Sequence, residues 1–220
     1  MRRTATEVQS GRLSFGGGST VSKFGHDFDY TGLHAFVFID HVDPGVKAAG
    51  VVDGLFDLDG GNGRRVLWAS TFVGDYLAFA HVQVDDKDEA NDLASLQEFI
   101  ENDLWENGVH CSWSTEVVRP DRVGIKRDTP EVIALVGIKT HKGQAFHVAD
   151  VLEGDADHPG VNGFKGASVV LGHLDVILQL GGETFEEVVD HVVGLQSFEG
   201  LDGIVSTSTA ITDGRRGPFS

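Results

Sequence analysis

Residues 167–195, ASVVLGHLDVILQLGGETFEEVVDHVVGL, decide the fold of this chain. Two β-rich runs flank the tight turn Gly172-His173-Leu174, an arrangement that predicts a β-hairpin. A helix is predicted to begin after Thr184, because apolar residues then recur at three- and four-residue steps and Glu187 completes a capping box. The segment therefore predicts a strand, a turn, a strand and an amphipathic helix in direct succession.

The elements around this segment complete one unit. Val132–Ile138 is predicted as the opening strand, Gly143–Leu152 as a helix, and Val205–Ile211 as the closing strand. Residues 131–213 therefore have the order β-α-β-β-α-β, which is the order of a ferredoxin-like unit.

Residues 33–118 repeat the same order. The predicted strands are His34–Ile39, Val66–Val73, Leu77–Val84 and Val109–Val118. One helix is predicted to begin at Pro44, and a second is predicted from Asp86 or Asp88 to Leu104. The chain therefore contains two copies of one pattern.

The predicted strands are apolar at consecutive positions, as in Phe36–Ile39 and Val176–Leu178, so both faces of each sheet must be covered. Helices cover one face, and the sheet of the other repeat is the simplest cover for the second. We therefore predict an α+β fold in which two ferredoxin-like βαββαβ units form a pseudo-dimeric α/β barrel within one chain. The remaining segments are predicted as an extended or flexible N-terminal arm (1–32), a linker (119–130) and a C-terminal tail (214–220).

The composition limits the classes of function. The 220 residues carry 34 acidic and 17 basic side chains, and the formal charge of −17 repels the phosphate backbone of nucleic acids. No apolar run is long enough to span a membrane, and polar residues follow Met1-Arg2-Arg3 where a secretory signal needs an apolar segment. The single cysteine, Cys111, cannot form an internal disulfide. We therefore expect a cytoplasmic protein that binds neither nucleic acid directly nor a membrane.

The second unit resembles the effector-binding RAM domain of the Lrp/AsnC (feast/famine) regulators, within the dimeric α/β-barrel superfamily. The turn Gly172-His173-Leu174-Asp175, the helix that contains Phe185, and the closing segment Leu201–Thr209 carry the resemblance. In the first unit Gly74-Asp75-Tyr76 occupies the turn, but Leu77 replaces the aspartate. Residues 1–32 have too few apolar positions to build the helix-turn-helix that precedes this domain in the regulators.

The resemblance implies a small effector, such as an amino acid, bound near the turn between the middle strands. The ligand-binding residues that it implies are Gly172, His173, Asp175, Thr207, Thr209, Gly74, Asp75 and Tyr76. Accessible backbone N–H groups at Gly172 could bind a carboxylate, and Asp175 could pair with an ammonium group. The structural alternative is that Gly172 only permits the turn and Asp175 only satisfies backbone donors. We also expect a homo-oligomer, formed through the barrel edges and the N-terminal arm.

No pattern in the sequence predicts a catalytic residue, a metal site or a cofactor. The histidine clusters lack the i, i+4 pairing or the cysteine partners of a zinc site. Asp57–Gly63 lacks the oxygen ligands that a calcium loop requires. A haem would need an axial histidine on an apolar helix, for which His147 and His191 are the candidates.

The main functional hypothesis is a non-catalytic, oligomeric sensing or regulatory protein that binds an amino-acid-like small molecule and lacks its own DNA-binding domain. One alternative is an enzyme of the dimeric α/β-barrel type, either a cofactor-free monooxygenase or a haem protein. A second alternative is a structural protein that assembles through its N-terminal arm. Three measurements would discriminate among them. Stabilisation by amino acids would indicate the sensor, light absorption by a bound haem would indicate a haem protein, and a change of oligomer size on deleting the arm would indicate the assembly role.

Overall fold

The computed structural model describes residues 33–42, 47–57, 64–74, 76–84, 111–118, 132–155, 159–198 and 201–216. The strands are β1 (Leu33–Val42), β2 (Arg64–Gly74), β3 (Ala78–Val84), β4 (Cys111–Val118), β5 (Val132–Thr140), β6 (Phe164–Leu171), β7 (Val176–Gly182) and β8 (Ile204–Arg216). The helices within these ranges are α1 (Ala48–Asp57), α2 (Ala145–Glu153) and α3 (Phe185–Leu195).

The strands form one closed barrel in the order β1-β3-β2-β8-β5-β7-β6-β4, and β4 pairs with β1 to complete the ring. Every described pairing between neighbouring strands is antiparallel. The predicted α+β class is confirmed, and the sheet is antiparallel in these pairings.

Along β5, strand alternation divides the apolar side chains between two cores. On β5, Ile133 and Leu135 face the barrel interior, whereas Ala134 and Val136 lie beneath the helices. The outer core contains Val148 and other aliphatic residues of α2 and α3. Both faces of the sheet are therefore covered, as the consecutive apolar positions predict.

The start of α3 follows the predicted capping pattern with one difference. The hydroxyl oxygen of Thr184 accepts a hydrogen bond from the N–H of Glu187 at 3.2 Å. The carboxylate of Glu187 accepts from the N–H of Glu183 at 2.8 Å, one residue earlier than in a standard capping box. The two bonds fix where the helix begins above β7.

The two halves of the barrel have the same strand order and matching irregularities. Residues 33–118 give the order β4-β1-β3-β2, and residues 132–216 give β8-β5-β7-β6. The β2–β3 register shifts between Val66 and Trp68, and the β6–β7 register shifts between Phe164 and Gly166. The bulge thus recurs at the equivalent position of each half.

Two seams join the halves, one between β2 and β8 and the other between β4 and β6. Gly74 lies at the first seam with a φ of 139°, a conformation that other residues rarely adopt. A Cβ atom added to Gly74 would lie 2.6 Å from the carbonyl oxygen of Thr209 on β8. Glycine therefore allows the two backbones to approach where the barrel closes.

Some predicted segments fall outside the described residues: the arm at 1–32, the second helix of the first unit (86–104), the linker at 119–130, and Asp75. β8 continues to Arg216, so the first three residues of the predicted tail belong to the strand and pair with β2. Within the described residues, no helix is long and apolar enough to cross a membrane.

The geometry at Gly74 predicts that Gly74→Ala weakens barrel closure. We expect the free energy of unfolding to fall by about 2 kcal/mol or more, since the substitution combines an unfavourable φ with a contact against the Thr209 backbone. Gly50→Ala is the matched control, because an added Cβ at this exposed position in α1 meets nothing within 4 Å. The control should gain about 0.5–1 kcal/mol from helix propensity. Urea denaturation measures both, and equal stability of the two variants would contradict the role of Gly74.

Candidate functional site

Aromatic side chains line the first half of the barrel interior. Phe79 on β3 is at the centre of this group, and its ring centroid lies 4.9 Å from that of Trp68 and 5.3 Å from that of Phe36. Phe38 and Phe72 complete the contacts at 5.2 and 6.0 Å. The second half contributes smaller residues to the same cluster, among them Leu135, Val170 and Ile177. The interior therefore offers flat aromatic faces on one side and aliphatic groups on the other.

Two buried histidines lie beside these aromatic rings. His34 Nδ1 and His81 Nε2 are 3.0 Å apart, so one nitrogen donates a hydrogen bond and the other accepts it. The His81 ring also contacts Phe36, with ring centroids 4.7 Å apart. His34 is only 3% exposed and His81 only 5%. The two imidazoles therefore form one hydrogen-bonded unit, which we call the His34–His81 pair.

Burial lowers the pKa of His34 from 6.5 to about 4, because desolvation disfavours the charged imidazolium. His34 is consequently neutral at pH 7 and keeps a lone pair on one ring nitrogen. One proton already lies in this hydrogen bond, so a proton brought into the His34–His81 pair would bind an outer ring nitrogen, Nε2 of His34 or Nδ1 of His81. The pair is thus able to accept a proton in a site that excludes water.

Gln179 is another buried polar residue of the barrel interior. It lies on the same face of β7 as Ile177, and its register partners are Leu135 on β5 and Gly166 on β6. The side chain is fully buried, and within the described part of the chain neither its Oε1 nor its Nε2 has a hydrogen-bond partner. A buried amide in this state costs about 1–3 kcal/mol of stability.

Two other buried hydroxyl groups have hydrogen-bond partners. The Thr212 hydroxyl accepts a 2.9 Å hydrogen bond from the N–H of Ile133, and the Ser70 hydroxyl donates to the carbonyl of Thr71 at 3.1 Å. No Lys, Arg, Asp or Glu is found among the buried side chains of the described residues. Those residues also contain no group of three or more His, Cys, Asp or Glu that could hold a metal ion. The site therefore offers neutral acid–base and amide chemistry.

Most of the residues that the sequence predicts as ligand-binding lie near one end of the barrel. Gly172 and His173 are exposed in the β6–β7 turn, and Thr207 is exposed on β8. Gly74 and Thr209 come together across the β2–β8 seam. The residues do not converge with the His34–His81 pair, and ligand binding by them stays a prediction.

Contacts with β5 give the residues of the β6–β7 turn a structural role. The Asp175 carboxylate accepts a 2.8 Å hydrogen bond from the N–H of Thr140, and its backbone N–H donates to the carbonyl of Ile138 at 3.0 Å. Lys139 Nζ donates to the carbonyl of His173. Leu174 is buried against Gly137, where an added Cβ would lie 2.7 Å from the leucine methyl group. These contacts attach the turn to the end of β5.

The turn of the first half is built around an aromatic contact. Tyr76 is half-buried and lies 4.7 Å from Phe38 between ring centroids. Tyr76 occupies the position equivalent to Leu174 in the other turn, because Phe38 pairs with Phe79 as Gly137 pairs with Ile177. Among the described residues that are predicted to bind a ligand, Tyr76 is therefore the one that contacts the aromatic interior.

The two histidines considered as haem ligands do not fit that role. His147 is exposed on α2. His191 is half-buried on α3, and a Cβ atom at Gly163 would lie 2.1 Å from its Nδ1, so the ring lies directly on the backbone. Aliphatic side chains fill the space between α2, α3 and the sheet. The described residues of this half therefore do not fit a haem.

Sequence reasoning missed the His34–His81 pair and Gln179. Each is a polar residue in phase with apolar residues of its strand: His34 with Phe36, His81 with Phe79, and Gln179 with Ile177. This alternation is the signal that could have identified them.

No protein-family model matches the sequence. No curated protein matches it.

Solved structures with the same kind of fold do match. A protein from Lactobacillus acidophilus described as a candidate monooxygenase is 10% identical with a TM-score of 0.50, over 85% of this chain and 99% of that chain. An anthrone oxidase-like protein is 12% identical with a TM-score of 0.51, over 86% and 94%. A double mutant of chlorite dismutase from Candidatus Nitrospira defluvii is 11% identical with a TM-score of 0.50, over 83% and 92%. At these identities the likeness is one of fold, that of α+β barrel proteins.

The predicted resemblance to the Lrp/AsnC effector-binding RAM domain is wrong. The similar structures are barrels described as monooxygenase, anthrone oxidase-like and chlorite dismutase proteins. The order of elements that suggested the regulators is compatible with these barrels as well. The Gly172–Asp175 turn has a local structural cause in its bonds to β5, so its residues do not identify a family.

The lowered pKa of His34 predicts that the protein loses stability in mild acid. Between pH 6.5 and about 4 the unfolded chain binds a proton at His34 that the folded chain does not, so the free energy of unfolding falls as pH is lowered through this window. The total loss should be roughly 3 kcal/mol by pH 4.

Urea denaturation at a series of pH values, with wild type and His34→Gln, measures this contribution. The pH dependence should be weaker in His34→Gln and unchanged in His147→Gln, the control at an exposed histidine. Parallel curves for wild type and His34→Gln would contradict the assignment.

Proposed function

We propose that this chain is a small enzyme that binds a flat aromatic compound inside its barrel and oxidises it with dioxygen without a bound cofactor. The observation that carries the proposal is the hydrogen-bonded His34–His81 pair, buried beside the aromatic side chains of Phe36 and Phe79. An eight-stranded barrel is of a size that either fills with side chains or holds one small ligand. The similar structures described as a monooxygenase and as anthrone oxidase-like support the same class of reaction by analogy of fold.

The aromatic side chains favour a flat, apolar ligand. Phe79, Trp68 and Phe36 offer ring faces and edges against which an aromatic ligand stacks. A zwitterionic amino acid would need opposite charges in the interior, and the described buried residues carry none. The interior is therefore better suited to an aromatic compound than to the amino-acid effector of a sensor.

The His34–His81 pair supplies the base. Removal of a proton from an acidic C–H group of the substrate leaves a carbanion, delocalised over the ring, beside an imidazolium. Because the two opposite charges form together in a water-excluded site, the carbanion raises the pKa of the protonated pair and offsets the desolvation that keeps it neutral otherwise.

The oxidation then balances without a cofactor. The carbanion of a ring CH₂ group transfers electrons to dioxygen and a C–O bond forms. The resulting peroxide takes up the proton held by the His34–His81 pair. Cleavage of the O–O bond, with loss of the second C–H proton, leaves a carbonyl group on the substrate and releases one water. One dioxygen is consumed for each substrate oxidised.

The proposed architecture for this site is a tandem repeat, in which two ferredoxin-like units form a pseudo-dimeric barrel. The two halves support it because their strand orders match and each has a bulge at the equivalent position. They also carry a serine at equivalent positions, since Ser70 pairs with Phe79 as Ser168 pairs with Ile177. The proposal requires a helix between β3 and β4, as residues 86–104 predict from their apolar spacing. Backbone NMR chemical shifts that are not helical over 86–104 would contradict it.

Anthrone, a tricyclic ketone with one acidic CH₂ group, is a suitable test substrate. Wild-type protein should consume one dioxygen per anthrone above the protein-free rate, measured with an oxygen electrode and by the appearance of anthraquinone. His81→Phe should lower the turnover number about a hundredfold or more, because it removes the base, while affinity for anthrone changes little.

His147→Phe is the matched control, since His147 is exposed on α2 outside the barrel, and its activity should equal that of wild type. Failure of wild type to bind anthrone, or equal turnover by wild type and His81→Phe, would overturn the proposed function.

A further inference from the structure

We propose that Gln179 selects the ligand by forming two hydrogen bonds with a flat molecule that carries an N–H donor directly beside a carbonyl acceptor, as in an aromatic lactam. This inference rests on the proposed function, because it requires an aromatic ligand inside the barrel. It adds the chemical class that the site recognises.

The position of Gln179 supports a role in binding. The side chain is fully buried, and both polar atoms lack a hydrogen-bond partner within the described residues. Leucine or methionine would fill the same place without leaving a polar group unsatisfied. A buried amide that retains both hydrogen-bonding groups is therefore a feature of the site that packing does not explain.

Gln179 faces the His34–His81 pair across the barrel. β7 and β3 lie on opposite sides of the ring of eight strands. On β3, His81 pairs with Phe36 and Trp68, and on β7 Gln179 pairs with the equivalent positions Leu135 and Gly166. Since the strands alternate in direction around the ring, β3 and β7 run the same way and the two side chains occupy the same level. A flat ligand across the barrel would meet the His34–His81 pair at one edge and Gln179 at the other.

The chemistry of a primary amide defines its complement. The N–H of Nε2 and the lone pairs of Oε1 lie side by side in one plane. A ligand group with an acceptor and a donor side by side can satisfy both, and a lactam holds its C=O and N–H in this arrangement. Gly166 brings no side chain beside Gln179, whereas Trp68 stands at the equivalent position in the first half. The ligand's polar edge is therefore expected at Gln179 and its aromatic face near Trp68 and Phe79.

Three ligands of nearly equal shape test the inference with the full chain. Isoquinolinone has both the N–H and the carbonyl, its N-methyl derivative lacks the donor, and naphthalene lacks both. Isothermal titration should show that wild type binds isoquinolinone about tenfold or more tightly than the N-methyl derivative. In Gln179→Leu the difference should fall below about twofold, while affinity for naphthalene stays within about twofold of wild type.

The thermal stability of the ligand-free protein gives an independent readout. Gln179→Leu should raise the melting temperature, because it removes unsatisfied polar atoms. Gln83→Leu, at a buried glutamine that does have an interaction partner, should not raise it in the same way. Gln196→Leu makes the same chemical change at an exposed position after α3 and should leave ligand selectivity unchanged.

The outcomes separate the two proposals. If wild type binds neither anthrone nor any of the three ligands, the proposed function fails and the role of Gln179 fails with it. If the ligands bind but Gln179→Leu keeps the preference for isoquinolinone, only the role of Gln179 is overturned. A lower melting temperature for Gln179→Leu would also overturn it, since the amide would then have a partner in the folded protein.

Discussion

Closure of the sheet is the constraint on which the rest of this structure depends. Once eight strands form a ring, every second side chain enters a space that water does not share, and the others must be covered by helices. The two cores follow directly, with Leu135 in the interior and Val136 beneath the helices on the same strand. Gly74 is the place where the constraint acts on the backbone, because two strands of different halves approach there more closely than a Cβ atom allows.

Closure of the sheet also makes the polar residues of the interior energetically costly. In an enclosed apolar space a polar group is retained at a cost unless it has a partner, so each exception to the apolar pattern requires an explanation. The His34–His81 pair satisfies itself in part through its own hydrogen bond, and desolvation keeps His34 neutral. Gln179 has no such compensation among the described residues. The three side chains differ in this respect from Thr212, which satisfies the backbone of β5.

The fold could be predicted further than the site. The consecutive apolar residues Phe36–Ile39 require cover on both faces, and this requirement leads to a closed two-sided sheet without knowledge of any register. The site could not be predicted in the same way, because the contact between His34 and His81 depends on the pairing of β1 with β3 across a long separation in sequence. Alternation places His34 in phase with Phe36, but it does not tell which face of the strand is the interior. The Gly172–Asp175 turn misled for the opposite reason: its residues have a local structural cause that a sequence motif does not distinguish from ligand binding.

The two halves of the barrel differ in their interior side chains at positions where their strand pairing is alike. Three pairs of equivalent positions, defined by their strand pairing, carry different residues in the two halves. Trp68 corresponds to Gly166, Phe79 to Ile177, and His81 to Gln179. A barrel assembled from two identical chains must present the same residues from both sides, so a ligand on its axis would have two equivalent orientations. Two halves within one chain are free of that restriction. One side can then provide aromatic faces and a base while the other provides an amide, and a ligand held between unlike sides has a single favoured orientation. For the proposed oxidation, that orientation would decide which carbon lies beside the base, so the asymmetry of the interior would allow a barrel of symmetric strand order to select one position of its substrate.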